Sequence, residues 1–394
     1  MPDGRIVHTG AVRPAGSWML VGCATAALVL TSAACGPAGS GTEDDPVPLW
    51  TLSSETELIL GEQDGDPAYL FERIAGVRLL PGGGVAVADR GYLSVRVYDA
   101  AGRLEASMGG EGEGPGEFRW LQYLGLLEPD TLLVYDGDLG RITRFRTDGD
   151  LLETRAIRTQ VGRPEVYLGT FSNGDAAISW ISEAGGSETE AFADRMPVGR
   201  FSTDGELVGR LGETYGMRRM GRGPIPFSPS MHGFLVRDSL VHTDGLTASL
   251  SVVGPEGTES RRIDVDVPEV SVTRAWDALA AALVERDQRE VLDGLPAAAQ
   301  AEAIPAVAEV FLDSSERFWL KHYDPVVDSH LLGGWLGASG GEWSVVDRDG
   351  ALIALVQVPS GFIPLDERAG LLAGVVRDDL GVERVVVRRI TPTN

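Results

Sequence analysis

The stretch Val85-Ala86-Val87-Ala88-Asp89, Ser94-Val95-Arg96-Val97-Tyr98-Asp99-Ala100-Ala101-Gly102, Arg103-Leu104-Glu105-Ala106-Ser107-Met108 decides the fold. Short runs rich in Val, separated by turn residues, read as antiparallel strands and not as helices. With Arg73-Ile74-Ala75-Gly76-Val77-Arg78-Leu79-Leu80 before it and a turn from Pro81 to Gly84, the stretch makes a four-stranded meander. Its last hairpin closes on Gly102, where the chain needs a positive φ that glycine adopts without a steric cost.

Moving outward, the closing turn recurs as Phe145-Arg146-Thr147-Asp148-Gly149, Phe201-Ser202-Thr203-Asp204-Gly205, Val253-Gly254-Pro255-Glu256-Gly257 and Val346-Asp347-Arg348-Asp349-Gly350. The first four copies lie about fifty residues apart, which suits a propeller blade with variable loops, and the last gap is nearly doubled. The doubling has a cause: from Thr273 the pattern turns helical, with Trp276, Leu279, Ala280, Leu283 and Val284 on one face. Thr273 reads as the N-cap, Gly294 as the stop, and a second short helix is expected over 296–303. Full meanders begin near Phe71, Phe118, Glu165, His232 and Ile304. The tail supplies three more strands, over 362–368, 371–377 and 383–390, and the stretch 47–52 is the expected fourth, pairing with the tail to close a ring. The expectation is an all-β protein: a six-bladed β-propeller of four-stranded antiparallel blades over 47–394, with a helical insertion at 272–303 between blades four and five.

The segment Val87-Ala88-Asp89-Arg90-Gly91-Tyr92-Leu93-Ser94-Val95-Arg96-Val97-Tyr98-Asp99, followed by Met108-Gly109-Gly110-Glu111-Gly112-Glu113-Gly114-Pro115-Gly116-Glu117-Phe118, resembles the NHL-type six-bladed β-propeller proteins. Through Val310-Phe311-Leu312-Asp313-Ser314-Ser315-Glu316-Arg317-Phe318-Trp319-Leu320 and Gly374-Val375-Val376-Arg377-Asp378-Asp379-Leu380-Gly381-Val382-Glu383, residues 47–394 look like a group of uncharacterised bacterial six-bladed propeller lipoproteins. The first motif is specific to a fold; none is specific to an activity. Blades three and four depart from the NHL pattern.

Residues 1–34 have the layout of an export signal: Arg5 and Arg13, then an apolar run from 18 to 34 ending in Leu30-Thr31-Ser32-Ala33-Ala34 before Cys35. Small residues ahead of the cysteine resemble a bacterial lipobox, although Ser32 stands where an aliphatic residue is usual. Cys23 and Cys35 are the only cysteines, and Cys23 leaves with the leader, so lipid attachment at Cys35 explains a lone thiol in an exported chain. Residues 35–46 then form a flexible polar tether. The expected location is the cell envelope, at the outer membrane facing the periplasm because Gly36 and not Asp follows the cysteine, with membrane contact through the anchor alone.

A net charge of -24 excludes a phosphate backbone as partner, because nucleic acids need a basic footprint. Lys321 is the sole lysine, hence the one candidate for Schiff-base chemistry. The Gly-rich run 109–116 lacks the Lys-Ser/Thr pair of a phosphate loop and reads as a connector between blades. Asp89, Asp136 and Asp244 fall at equivalent second-strand ends; they are candidates for a Ca²⁺ site, against the commoner use of Asp to cap turns. His232, His242, His322 and His330 show no helical ligand spacing. Arg218, Arg219 and Arg222 cluster in the connector between blades three and four, as candidate contacts for an anionic group, with pairing to neighbouring acids as the alternative. Trp276 reads as a staple of the inserted helix.

With no catalytic constellation in view, the sequence leans to a lipoprotein whose propeller binds an unknown protein or small-molecule ligand without catalysis. The alternatives are a metal-dependent hydrolase or lyase at the channel, and a structural scaffold of an envelope complex. Cys35→Ser should abolish labelling by radioactive palmitate and move the chain from the membrane fraction to the soluble one; retention of C35S in the membrane would refute the lipid anchor.

Overall fold

The computed structural model describes residues 47–157, 164–181, 190–220, 223–295, 302–330 and 340–393. The expected export signal and tether, Cys35, Arg222 and most of the expected second helix lie outside the described residues. β1 (Leu49–Leu60) precedes the first meander, in which β2 (Ile74–Leu79), β3 (Val85–Asp89), β4 (Ser94–Tyr98) and β5 (Leu104–Gly109) pair antiparallel in chain order. The next sheet is β6 (Leu121–Leu127), β7 (Thr131–Asp136), β8 (Arg141–Arg146) and β9 (Leu151–Ala156). The third consists of β10 (Pro164–Thr170), β11 (Ala176–Trp180), β12 (Phe192–Phe201), β13 (Leu207–Met220) and the two-residue β14 (Gly223–Pro224). The fourth is β15 (His232–Val236), β16 (Ser239–Thr243), β17 (Ser249–Val253) and β18 (Glu259–Asp264). The last contains β19 (Val307–Leu312), β20 (Phe318–His322), β21 (Gly341–Val346), β22 (Leu352–Val358), β23 (Phe362–Arg368), β24 (Leu371–Arg377) and β25 (Glu383–Thr393).

Every position of β3 and β4 is buried, whereas β5 alternates. The cause is packing: middle strands are covered on both faces by neighbouring sheets, while an outer strand keeps one side in water. Ala86 and Ala88 of the first sheet share a core with Leu121 and Phe145 of the next and with Phe118 just ahead of it, together with Val95. Equivalent apolar layers join second sheet to third, third to fourth and fourth to last, and Val77 and Val85 pack against Val375 and Val385, so the sheets form a propeller-like ring. The recurring turn glycines have positive φ: 79° at Gly102, 104° at Gly149, 80° at Gly205, 79° at Gly257 and 90° at Gly350. Asp99 completes its turn by accepting the Ala101 and Arg103 amides at 2.9 Å, and Asp347 does the same for Asp349 and Ala351 at 2.8 and 2.9 Å.

β1 pairs antiparallel with β25 from Leu49↔Thr393 to Leu60↔Val385, a longer partnership than the expected stretch 47–52 provides. Leu49–Thr51 also pair parallel with Leu355–Gln357 of β22. Among the described residues the strands therefore fall into five sheets, one of them eight-stranded, where the sequence leads to six separate four-stranded ones. The physical reason is edge satisfaction: β1 gives the exposed margin of β22 a backbone partner while it pairs with β25.

The insertion begins with α1 (Val272–Glu285), capped by Ser271 and not Thr273: the Arg274 amide donates to the Ser271 hydroxyl at 3.3 Å. Its buried face is Ala275, Leu279 and Leu283, which pack with Phe227, Ile304 and Tyr323, while Val284 points outward at 52% exposure. The Trp276 ring meets Phe227 edge-on at 5.0 Å, the staple that the sequence indicates. α2 (Glu290–Asp293) follows within one turn.

First strands approach the axis closely because glycine omits a side chain there. A Cβ on Gly76 would stand 3.0 Å from Leu124 Cβ, and one on Gly169 would stand 2.8 Å from Leu235 Cβ. Gly169 also has φ +144°. Gly169→Ala should lose about 3 kcal/mol of stability from clash and backbone strain together. Gly110→Ala, at φ +139° with nothing within 4 Å of the new methyl, carries the backbone part alone. Equal losses in denaturant unfolding of the two variants would show that approach at the axis is not the constraint.

Candidate functional site

Strands β2, β6, β10, β15, β19 and β23 come together around one space within the propeller-like ring. At their C-terminal ends side chains from all six line a cavity of about 450 Å³, whose charged groups are Arg78, Glu128, Asp313, Asp366 and Arg368. A second cavity of about 270 Å³ lies toward their N-terminal ends, with Gln122, His232, Glu309 and Trp343 as its other polar groups. Arg78, Tyr123, Val310, Phe311 and Leu365 belong to both walls and form the waist between them.

At the wide end the charges are tied to backbone and to each other. Arg78 Nη1 donates to the carbonyls of Val77 at 2.9 Å and Leu365 at 3.0 Å. Arg368 Nε donates to the Leu79 carbonyl at 2.8 Å and its Nη2 to Glu128. Asp366 accepts the Leu79 amide at 2.7 Å. Burial pushes the Asp366 carboxyl up, against the pull of Arg78, the Leu79 amide and Arg368. Asp313 accepts Trp319 Nε1 at 2.9 Å and Arg317 Nε at 2.6 Å, and Arg317 Nη2 reaches Glu367 at 2.6 Å. Burial raises Glu367 as well.

At the narrow end His232 Nε2–H donates to the Ala308 carbonyl at 3.0 Å, and burial holds the ring below its ordinary pKa. Lys321, 1% exposed, donates to Asp328, and Glu309 Oε1 stands 3.8 Å away. Burial raises both Glu309 and Asp328, with Lys321 opposing. A single buried ammonium thus answers two carboxyls, an arrangement unsuited to a free nucleophilic amine. Trp343 is fully buried and its Nε1–H has no acceptor among the described residues, a state that costs about 1–3 kcal/mol if left unanswered.

The acids singled out from sequence serve the backbone. Asp89 accepts the amides of Glu72, Gly91 and Tyr92 at 3.0, 2.8 and 3.3 Å. Asp136 accepts those of Arg119, Trp120, Asp138 and Leu139 at 2.6, 3.1, 3.0 and 2.8 Å. Asp244, exposed, accepts Leu246 and Thr247 at 3.0 and 3.1 Å. Each ties its own sheet's turn, and no three His, Cys, Asp or Glu side chains among the described residues are grouped to hold a metal. Arg218 and Arg219 sit not in a free connector but at the end of β13, opposite Ala193 and Phe192 of β12. The Arg218 amide donates to Ser228 Oγ at 2.6 Å, and the Arg219 guanidinium lies 5.2 Å from the Phe192 ring. In the Gly-rich run, carbonyls face a cation: Arg141 donates to Glu113 and Gly114 at 2.7 and 2.9 Å. His322 bridges Glu342 at 3.0 Å and Ser344 at 2.8 Å. Sequence reasoning missed Arg78, Asp366, Arg368 and Trp343; the available signal was a charge set within an apolar strand, as in Val77-Arg78-Leu79.

No family model and no curated protein matches the chain. Among solved structures, a member of the duf4221 family from Bacteroides vulgatus is similar with a TM-score of 0.50 at 10% identity, over 87% of this chain and 99% of that one. A Bacteroides fragilis protein assigned as exported gives 0.48 at 11% identity, over 88% and 96%. A catalytically inactive virginiamycin B lyase from Staphylococcus aureus gives 0.41 at 10% identity, over 86% and 88%. At these identities the likeness concerns the fold alone. No helix among the described residues is long and apolar enough to cross a membrane.

Because Asp366 has a folded pKa above its ordinary 3.8, the folded state holds that proton more tightly than the unfolded chain. Its contribution to stability is fully present below that ordinary value and is lost as pH rises through the folded one. Asp366→Asn keeps an acceptor for the Leu79 amide and removes the titration. Stability measured by denaturant from pH 4 to 7 should therefore fall less steeply with pH in D366N than in the parent; parallel curves would refute the assignment.

Proposed function

We propose that the chain is an exported, lipid-anchored propeller of six four-stranded blades that binds a small ligand in its axial channel without catalysis. The count of six is supported by the topology of the eight-stranded sheet. Two antiparallel halves, β19 to β22 and β23 to β25 with β1, meet only through the parallel pairing of Leu49–Thr51 with Leu355–Gln357. The observation that carries the binding reading is the pair of adjoining cavities at the axis, walled by Tyr123, Val310, Phe311 and Leu365 and bearing polar groups at both ends. Concave sites with apolar walls and a few placed polar groups are the usual form of small-molecule sites. Binding is favoured over metal-dependent hydrolysis because Asp89 and Asp136 spend their carboxylate oxygens on backbone amides. Arg218 and Arg219, on β13, together with Arg222, are proposed as contacts for an anionic group. NHL kinship, attachment through Cys35 and an outer-membrane location are parts of the same proposal.

Fractionated small-molecule extracts of envelopes, added to the purified protein, test it. One fraction should raise the melting temperature, and the rise should vanish in Arg78→Ala, which removes the guanidinium shared by both cavities. A ligand at about 100 times its Kd adds about 2.7 kcal/mol, a readable shift. Stabilisation that survives in R78A, or that no fraction produces, would overturn the channel as the binding site.

A further inference from the structure

The guanidinium of Arg78 lies 6.0 Å from the Tyr123 ring on β6, while its Nη1 reaches the Leu365 carbonyl of β23 at 3.0 Å. β6 and β23 both neighbour β2, one on each face: Ala75 packs toward the sheet of β6, and Val77 and Leu79 pack toward that of β23. One edge of β2 is taken by β3. A head group that touches both flanking strands therefore stands at the free edge of β2, in the space that the six strands share. Arg78 is half-buried there and lines the wide and the narrow cavity alike.

The Val77 and Leu365 carbonyls, at 2.9 and 3.0 Å, take the donors of Nη1. The Nε–H and Nη2–H groups form the other, side-on fork of the guanidinium, and nothing among the described residues accepts from it. Asp366 attracts Arg78 through space but gives its Oδ2 to the Leu79 amide at 2.7 Å. The other arginine of the two walls, Arg368, has Glu128 as its partner. Arg78 is thus the cation of these walls that has no carboxylate partner among the described residues. The acids nearby are differently placed. Asp313 takes the Ser315 and Arg317 amides, Arg317 Nε and Trp319 Nε1, and Glu309 faces Lys321 at 3.8 Å. Burial raises Asp366 and Glu309, which lets them shed charge by taking up a proton. A guanidinium has no such recourse. On the narrow wall Gln122 and Trp343 are uncharged, and burial holds the His232 ring neutral. The unmet electrostatic demand of the space is therefore for an anion. Two parallel N–H bonds match two coplanar oxygens, and a single open fork suits a single charge. Beside the fork the waist is Tyr123, Val310, Phe311 and Leu365, which suits an apolar body.

We propose that the side-on fork of Arg78 binds the carboxylate of an apolar organic acid, whose body lies against Tyr123 and Phe311 at the waist between the two cavities. This rests on the channel-binding reading and names the class of ligand that the channel selects. An amide of the same shape turns an N–H toward the fork in place of one oxygen, and an ammonium meets the guanidinium as a like charge. Inorganic phosphate satisfies the fork but leaves the apolar waist unfilled. Discrimination of this kind comes from the partner left unmet more than from size.

Calorimetric titration of the purified protein at neutral pH with benzoate, benzamide, benzylammonium and inorganic phosphate tests the class on the parent chain alone. Benzoate should bind at least about tenfold more tightly than each of the other three. Two variants test the residue, with melting curves to confirm that they fold. Arg78→Gln should bring the preference for benzoate over benzamide down to about one, and Arg78→Lys, which keeps the charge and loses the fork, should weaken benzoate about tenfold. Arg103→Gln removes a cation at an outer turn and should leave benzoate within about twofold of the parent. Benzamide, benzylammonium or phosphate binding as tightly as benzoate to the parent would overturn the carboxylate class and leave the channel reading standing. A benzoate preference that persists in R78Q, or falls equally in R103Q, would remove the fork from the site. Failure of all four probes to bind would overturn the proposal as well. The extract titration of Arg78→Ala judges the wider channel separately, since a ligand of another class can still stabilise the parent there.

Discussion

The convergence of first strands on one axis is the constraint from which the rest follows. Each strand must approach its neighbours at backbone distance, and the chain meets the demand with glycine where a side chain would collide, as at Gly76 against Leu124 and Gly169 against Leu235. The middle strands are then enclosed between sheets, which is why β3 and β4 have no exposed position, even at Arg96 and Tyr98. Outer strands are released from that demand and keep exposed positions, as β5, β9 and β18 do. The same convergence leaves a space on the axis that cannot be filled from one sheet alone, and the cavities and their polar walls are its consequence.

A ring also has to end. β1 meets this need twice, by a long antiparallel partnership with β25 and a short parallel one with β22. The first and last strands among the described residues hold each other, so the stability of the ring depends on residues more than three hundred positions apart in sequence. Trp50 takes part from its side chain as well, under the Arg317 guanidinium at 5.3 Å and 6.2 Å from the Trp319 ring. The β1 seam is thereby tied to the Asp313, Arg317 and Glu367 network beside the wide cavity.

Buried charge gives the axis its chemical character. Asp366, Glu367, Glu309 and Asp328 are all raised by burial and only partly compensated by Arg78, Arg317, Lys321 and Arg368. Such groups work against stability near neutral pH, since moving a carboxylate out of water costs more than a partner usually returns. A fold that needed only rigidity would have apolar residues there. Asp89, Asp136, Asp99 and Asp347, by contrast, show the structural use of the same residue type, with their oxygens on backbone amides.

The local elements were legible in sequence because their causes are local. Alternation in Val85-Ala86-Val87-Ala88, the positive φ at Gly102 and its recurrences, and the apolar stripe of α1 depend on residues a few positions apart. The pairing of the N-terminal strand with the tail was legible from a count of strands, one short in the last meander. Tertiary structure decided what depends on distant neighbours. The parallel contact of β1 with β22 merges two meanders into one sheet, and nothing in either segment encodes it. Helix α1 is capped at Ser271, since the segment that packs on Phe227 and Tyr323 sets where the chain turns. The candidate site was the least legible part: Arg78, His232, Glu309, Trp343 and Asp366 come from different strands, and no spacing relates them. The sequence by itself determined strands, turns and their repetition, through steric and hydrogen-bonding rules that act within a hairpin. Only the closed ring decided which side chains share the axis, because proximity there is set by the packing of whole sheets and not by the order of residues along the chain.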